Sequence, residues 1–486
     1  MIYKLRPYQE ECVKSISDYI NSDRHDPVLV IGPVGCGKSI LIAEAARLMG
    51  DKTLVLQPSR ELLIQNHDKI TSYGIPAAIY SASCGKKELS NMIYATLGSI
   101  KKVVGQLKEM GIRNVLIDEA HAGYSPEDGS EFMTFMNELK PKKVIGFTAT
   151  PCRLKTMSIG QVSYSQLNFI TRMRPVYFKN LIHVIQVEEM IRQGFWTPLK
   201  YETWDFNGDA LKLNSNGSEY TAESISEAVR KNGLNNLILR RLMVLKDVCR
   251  SILVFMDSVE SCNTATEWMN AKICAGMAEV VHGGTPKKQR EAIVEGFKSG
   301  KTKVVFNYSA LGTGFDHPGL DCVIVGRPTF SFSSFYQWLG RAVRIKDGKD
   351  SALVVDCCNN SSRFGDIRKL SIENYKGYGW GMFIGDKLIT NIPMGDKVTK
   401  TDLDIKAAKK DRRRGLAQGV TAAPVPGRPD HPLGSTVMTF GKYCGWMFHS
   451  IPVSYFKFIN ETFDWSNDRN REIKEYIDFL IKNNRL

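Results

Sequence analysis

Gly32-Pro-Val-Gly35-Cys-Gly37-Lys38-Ser39 is the stretch on which the reading of this chain turns. It fits the pattern G-x-x-x-x-G-K-[ST], and its flanks supply the context that gives the pattern chemistry. The apolar run Pro27–Ile31 before it reads as a strand buried on both faces. Ser39 to about Met49 after it reads as an apolar helix. Glycines let successive backbone N–H groups turn inward around the β- and γ-phosphates of a nucleotide, and the helix N-terminus adds its positive dipole end. In such a loop Gly32, Gly35 and Gly37 shape the cradle, Lys38 neutralises phosphate oxygens, and Ser39 ligates Mg²⁺.

Outward from this loop, short apolar runs alternate with helical patterns, which predicts a parallel sheet covered by helices. Further strands are expected at Thr53–Leu56, Asn114–Ile117 and Val144–Phe147. Asp118-Glu119-Ala120-His121 follows the third strand of this series directly. The carboxyl edge of such a strand lies beside the phosphate loop. Asp118 is therefore placed to hold Mg²⁺ through water, and Glu119 to orient and deprotonate an attacking water. A second series repeats the logic at Ser251–Met256, Ala278–Val281, Lys303–Asn307, Asp321–Val325 and Ser351–Val355. The expected fold is α/β, with two tandem doubly wound parallel-sheet lobes and a cleft between them. Residues 155–235 carry fewer signals, with a turn-like Asn207–Gly217 among them.

The motif order resembles that of superfamily 2 helicases of the DEAD/DEAH-box type from Leu5 to about Gly365. Arg6-Pro7-Tyr8-Gln9 resembles the adenine-reading motif, with Gln9 at the base edge. Gln57-Pro58-Ser59-Arg60-Glu61-Leu62 resembles motif Ia, and Ala95-Thr96 stands where another strand-contacting motif is expected. Thr148-Ala149-Thr150-Pro151 resembles motif III, Leu253-Val254-Phe255 motif IV, and Leu311-Gly312-Thr313-Gly314-Phe315-Asp316 motif V. Gln337-Trp-Leu-Gly340-Arg341-Ala-Val-Arg344 resembles motif VI. The resemblance implies RecA-like lobes and ATP with Mg²⁺ as cofactors, with Gly314 and Asp316 also at the nucleotide. It implies coupling through His121, Thr148, Thr150 and Gln337, and nucleic-acid contacts at Pro58, Ser59, Arg60, Thr96 and Thr313. Arg341 and Arg344, spaced i and i+3, are expected on one helical face, from which they act as arginine fingers across the cleft.

Within the superfamily the chain looks nearest to RadD-like helicases, type I and III restriction motors and phage UvsW-like branch-migration helicases. Ile185–Leu199, with Ile191-Arg-Gln-Gly-Phe-Trp-Thr-Pro, and Val354–Asn359 ending in Arg363-Phe-Gly365 carry that likeness. A cysteine-rich zinc element after motif VI, part of the RadD pattern, is missing. The resemblance implies 3′-to-5′ movement on forked, branched or partly single-stranded DNA. RNA stays open, because no residue here reads a 2′-OH. A duplex translocase without strand separation, and a nucleotide-gated binding protein, are the alternative readings.

Composition frames these expectations. The 486 residues are too many for one core. The net charge of +14 favours a polyanionic partner, nucleic acid first and an anionic membrane surface second. No apolar run reaches the roughly 20 residues a membrane-spanning helix needs. The N-terminus has no secretory pattern. The eleven scattered cysteines form no C-x-x-C pair. They suit reduced thiols in a cytoplasmic protein. The expected division is a first lobe over 1–165, a second over 166–365, a small β element over 366–405, a basic proline-rich linker over 406–435 and a terminal module over 436–486. Lys406–Arg414 carries six positive residues and one aspartate, +5 of the +14. A flexible basic run of this kind can track phosphates. The aromatics Trp446, Phe448, Tyr455, Phe456, Phe458 and Trp465 read as the core of a small domain or as base-stacking groups, and the module is a candidate surface for a separate protein partner.

Overall fold

A computed structural model describes residues 3–159, 162–311, 315–407, 432–436, 438, 443, 447–451, 453–462 and 471–483. The chain divides into two compact units, Met1–Asn374 with Trp380–Val398, and Tyr375–Gly379 with Thr399–Leu486.

The first unit holds two parallel sheets. Strands β1 (Val28–Ile31), β2 (Thr53–Leu56), β3 (Ala78–Ser81), β4 (Lys86–Lys87), β5 (Met92–Ala95), β6 (Asn114–Ile117) and β7 (Lys143–Thr148) join β10 (Asn180–Val184) in the order β10-β1-β7-β6-β2-β5-β3-β4. Every pairing is parallel except β3 with β4. β1, β2, β5, β6 and β7 are buried at every position, as strands covered by helices on both faces must be. The second sheet takes β11 (Leu199–Thr203), β12 (Ile252–Phe255), β13 (Ala278–His282), β14 (Val304–Tyr308), β15 (Cys322–Val325) and β16 (Ala352–Asp356) in the order β11-β16-β15-β12-β14-β13, all parallel.

Two boundaries differ from expectation. β10 pairs with β1 from Val28↔Asn180 to Ile31↔Val184, so the first sheet extends past the expected limit at 165. Its half-exposed, polar-punctuated sequence, Asn-Leu-Ile-His-Val, hides an edge strand from a search for apolar runs. The element expected over 366–405 also does not stand alone. Leu370, Ile372, Met382 and Ile384 enter the main core, and Gln186 bonds both backbone groups of Ile372.

Between the lobes β8 (Cys152–Ile159) and β9 (Val162–Phe169) form an antiparallel ribbon, a feature absent from the sequence reading. Thr156 donates to the Asn216 carbonyl, and the Met394 N–H donates to Ser165, so the ribbon is held from both sides.

The second unit is built on helices Val453–Thr462 and Arg471–Lys482, with Phe448, Ile451, Phe456, Tyr476 and Ile477 in its core. Phe448 and Phe456 are thus core residues, whereas Phe458 is exposed. Trp446, Trp465 and the expected basic linker from residue 408 to 431 lie outside the described residues. Among the described residues no helix is long and apolar enough to cross a membrane.

Candidate nucleotide site and interlobe cleft

The phosphate loop runs from the end of β1 into helix Lys38–Met49, as its sequence requires. Gly35 and Gly37 take φ of +81° and +83°, a region costly to any residue with a Cβ. A Cβ on Gly37 would lie 2.6 Å from Nε2 of Gln9. That contact brings the base-reading motif onto the loop. Gln9 donates to the Cys36 carbonyl (2.8 Å) and accepts from the Arg6 N–H (3.0 Å). One Nε2 hydrogen and one Oε1 lone pair remain, the complement of an adenine N7/N6 edge.

Asp118 and Glu119 stand at the end of β6, beside β7 and one strand from β1. Lys38 Nζ meets Glu119 Oε1 at 2.9 Å. Burial opposes the charge on Glu119, but Lys38 and His121 outweigh it and hold the carboxyl well below its usual range. Asp118 goes the other way: burial first, then the Glu119 charge, push it up to about 7. Asn66 donates to Asp118 Oδ2 (2.9 Å) and the Glu119 N–H to Oδ1 (2.9 Å). Glu119 itself has φ of +45°, strained backbone of the kind that persists where surroundings over-determine it. Arg153 supplies much of that constraint through bonds to the carbonyls of His121 (2.6 Å), Tyr124 (2.6 Å) and Ala120 (3.3 Å).

The second lobe closes over this loop. A cavity of about 430 Å³ is lined by Gln9, Gly35, Gly37, Lys38, Ser39, Asp118 and Glu119 from the first lobe and by Asp316, Gln337, Arg341 and Arg344 from the second. The cleft is tight: a Cβ on Gly340 would fall 2.6 Å from Val34 Cβ. One expectation is corrected here. The helix Phe332–Leu339 ends before the arginines, so they do not share a helical face. Arg341 follows in a turn and Arg344 in the irregular segment after it. Thr197 holds that segment by bonding the Val343 and Arg344 carbonyls, and a continuing helix would have those carbonyls bonded internally. Arg344 pairs with Asp316. Arg341 donates to the Phe315 carbonyl at 2.6 Å. Burial, then Arg344, pull Arg341 down to about 10. Asp316 thus partners an arginine at the cavity wall.

His121, Thr148 and Thr150 form a cluster: His121 Nδ1 to Thr148 Oγ1 is 2.8 Å and Nε2 to Thr150 Oγ1 is 3.0 Å. Pro58, Ser59 and Arg60 follow β2 and Thr96 follows the adjacent β5, so these four sit together at one sheet edge. Ser59 caps the helix Arg60–Thr71 by accepting from the Leu62 N–H. Thr313 and Gly314 lie outside the described residues. Gly32 begins the loop and packs against Cys36.

Asn66, Arg153 and Ser333 were missing from the sequence reading, and Trp196 entered it only within the Ile191–Pro198 segment, with no role of its own. Arg153 stands two residues after Pro151, so position alone could have flagged it. The other three are defined only by contacts across the fold.

Ser39 and Asp118 offer hard oxygen donors beside a phosphate cradle, the donor set Mg²⁺ takes, completed by phosphate oxygens and water. Among the described residues no group of three or more His, Cys, Asp or Glu could hold a metal, which such a two-ligand site does not need.

A nucleotide loop on one lobe faced by arginines from another defines the two-lobe nucleotide-binding class. Residues 2–153 match the family "Type III restriction enzyme, res subunit" and residues 235–346 match "Helicase conserved C-terminal domain". The chain belongs to helicase superfamily 2. A 51.5 kDa protein of a Lactococcus phage is 24% identical over 332 residues, 68% of this chain and 65% of that one. The DNA 3'-5' translocase XPB2 of Sulfurisphaera tokodaii is 23% identical over 381 residues, 72% of this chain and 81% of that one. The ATP-dependent Type ISP restriction-modification enzyme LlaBIII bound to DNA shares the fold, with a TM-score of 0.54 at 16% identity over 86% of this chain and 30% of that one. The chain spans between 52% and 65% of the length of the first curated relatives it matches, from two yeasts and the Lactococcus phage.

Proposed function

We propose that the chain is an ATP-driven motor that moves along nucleic acid, with DNA as its substrate. The carrying observation is the shared cavity, in which Lys38, Asp118 and Glu119 on one lobe face Arg341 and Arg344 on the other. Lys38 exchanges its Glu119 contact for the β- and γ-phosphate oxygens, and this frees Glu119 to orient a water and take its proton. Mg²⁺, held by Ser39 and Asp118 when bound, offsets phosphate charge. Arg344 leaves Asp316 for the γ-phosphate, an exchange that ties turnover to cleft closure. Gln9 reads the adenine edge. Pro58–Arg60 and Thr96 contact the strand backbone, which makes binding tolerant of sequence and sensitive to salt.

DNA is favoured over RNA because XPB2 is named as a DNA translocase and LlaBIII is seen bound to DNA. The XPB2 name also favours the second reading, translocation along a duplex without strand separation.

ATP turnover measured side by side with single-stranded, duplex and forked DNA and with RNA tests the proposal, with Lys38→Ala as the control. Stimulation by DNA, abolished in K38A, is expected. Turnover that K38A retains would dismiss the site assignment. Strand displacement on forked but not blunt DNA separates the two readings.

A further inference from the structure

Three residues of the helix Arg60–Thr71 are buried: Leu63, Asn66 and Ile70. Their spacing, i, i+3 and i+7, is the inward stripe of an amphipathic helix, and the middle of that stripe is an amide. An amide buried among apolar groups is destabilising unless a partner compensates it. Asn66 has such a partner: its Nδ2 donates to Asp118 Oδ2 at 2.9 Å, 52 positions along the chain. Nδ2 is the atom that faces the carboxylate, because the amide turned the other way would set oxygen against oxygen. Asn66 Oδ1 is buried and has no hydrogen-bond partner among the described residues, so the amide is held there by its bond to Asp118. The preceding residue makes a matching contact. Gln65 Nε2 donates to Ser39 Oγ at 3.3 Å, and Gln65 lines the nucleotide cavity. Two neighbours on one helix thus reach the two side chains that offer oxygen to Mg²⁺.

We propose that Asn66 is a positioning residue for the Mg²⁺ site, acting through Asp118, and that Gln65 does the same through Ser39. The Asp118 carboxylate is fixed at both oxygens: Oδ1 accepts from the Glu119 N–H at 2.9 Å and Oδ2 from Asn66. Each oxygen keeps a further lone pair, so the group is held in one plane and can still serve a cation or the water around it. Accepting from Gln65 likewise uses one of the two lone pairs of Ser39 Oγ and leaves the other. Mg²⁺ demands near-ideal octahedral geometry and gives up water reluctantly, so donors already aimed at it bind it better than donors free to rotate. Without Asn66 the carboxylate would keep its backbone bond at Oδ1 and lose the donor that fixes its plane at Oδ2. The inference rests on the nucleotide-site reading above and adds the residues that aim its metal ligands.

The ratio of the ATP dissociation constant in EDTA to that in Mg²⁺ measures the metal's contribution without any turnover. In the full chain Asn66→Leu, which keeps the volume and removes the donor, should lower this ratio about tenfold or more, the usual loss when the partner of a metal ligand is removed. The constant in EDTA should stay as in the unaltered protein. Asn66→Ala carries the same expectation should that variant not fold. Gln65→Leu, at a partly exposed position, should act in the same direction. Mn²⁺ bound together with ATP, followed by its electron paramagnetic resonance signal, should weaken in parallel. The Mg²⁺ concentration that half-saturates turnover should rise, with kcat recovering at saturating Mg²⁺. Equal weakening of ATP in Mg²⁺ and in EDTA would mean that Asn66 only supports the fold, and an unchanged ratio would mean that Asp118 is aimed without it; either overturns the proposal. An unaltered chain that binds ATP no better in Mg²⁺ than in EDTA would overturn the metal part of the nucleotide-site reading along with this inference. Should the chain bind ATP but never turn it over, the motor reading falls while these constants still decide the role of Asn66.

Discussion

Nε2 of His121 lies 3.2 Å from Oγ of Ser333, a residue 212 positions along the chain and in the other lobe. Thr150 Oγ1 closes the triangle, 3.0 Å from that nitrogen and 3.2 Å from Ser333. Since His121 also sits 3.3 Å from Glu119, one small cluster joins the Glu119 carboxylate to the helix Phe332–Leu339. A hydrogen bond of this kind contributes about 0.5–1.5 kcal/mol net. Ser333→Ala is therefore expected to cut nucleic-acid-stimulated ATP turnover by about two- to tenfold, with Ser333→Thr keeping most of it. An unaltered ratio of stimulated to unstimulated rate in S333A would remove Ser333 from the coupling path.

The two arginines should separate in their effects. Arg344 pairs with a partly exposed aspartate, so Arg344→Ala should lower kcat by about 10³ at near-normal stability. Arg341 is part-buried and donates to the Phe315 carbonyl. Arg341→Ala should lower turnover and also cost about 1–3 kcal/mol of unfolding free energy, because that carbonyl loses its donor. Urea unfolding and turnover on both variants check this; equal stabilities would contradict the assignment.

Closure of the cleft depends on the absence of a side chain at 340. Gly340 has φ of −60°, so alanine fits its backbone, but the new Cβ would meet Val34 Cβ and Cγ2 at 2.6 Å. Gly340→Ala should leave the melting temperature nearly unchanged and reduce kcat, with Val34→Gly restoring part of the loss. The interaction energy expected from such a neighbouring pair is about 0.5–3 kcal/mol. Simple additivity of the two single effects would show that the contact is not felt in the working enzyme.

His317 should impose an acid limit on stability. It is buried with Nε2 2.8 Å from Ser251 Oγ. Burial first, then Lys346, Lys298 and Lys349, push its pKa down to about 4. The unfolded chain takes up this proton near pH 6.5 and the folded chain refuses it until about pH 4. The contribution is thus complete above pH 6.5 and is lost as pH falls toward 4, by up to about 3 kcal/mol. His317→Gln should flatten this part of a urea-midpoint profile. A variant that tracks the unaltered protein from pH 7 to 4 would show that His317 is not held neutral.

What was legible in the residues, and what was not, divides by the range of the interaction. The predicted strands Thr53–Leu56 and Asn114–Ile117 coincide with β2 and β6, because strands covered on both faces have to be continuously apolar. The second series was equally readable. The phosphate loop and the Asp118-Glu119 pair were visible because their chemistry needs particular residues at fixed local spacing. β10 was not, since polar residues interrupt it and its partner β1 lies far along the chain, and the β8–β9 ribbon was not, since polar residues alternate with its apolar ones.

By itself the sequence determined two parallel lobes, a triphosphate cradle and the identity of the groups that face it, all consequences of periodicity and of backbone conformations only glycine adopts freely. Only the tertiary structure decided where Arg341 and Arg344 stand and that Ser333 meets His121. Those positions follow from packing one lobe on the other, and such packing is governed by contacts between residues whose spacing along the chain carries no periodic signal.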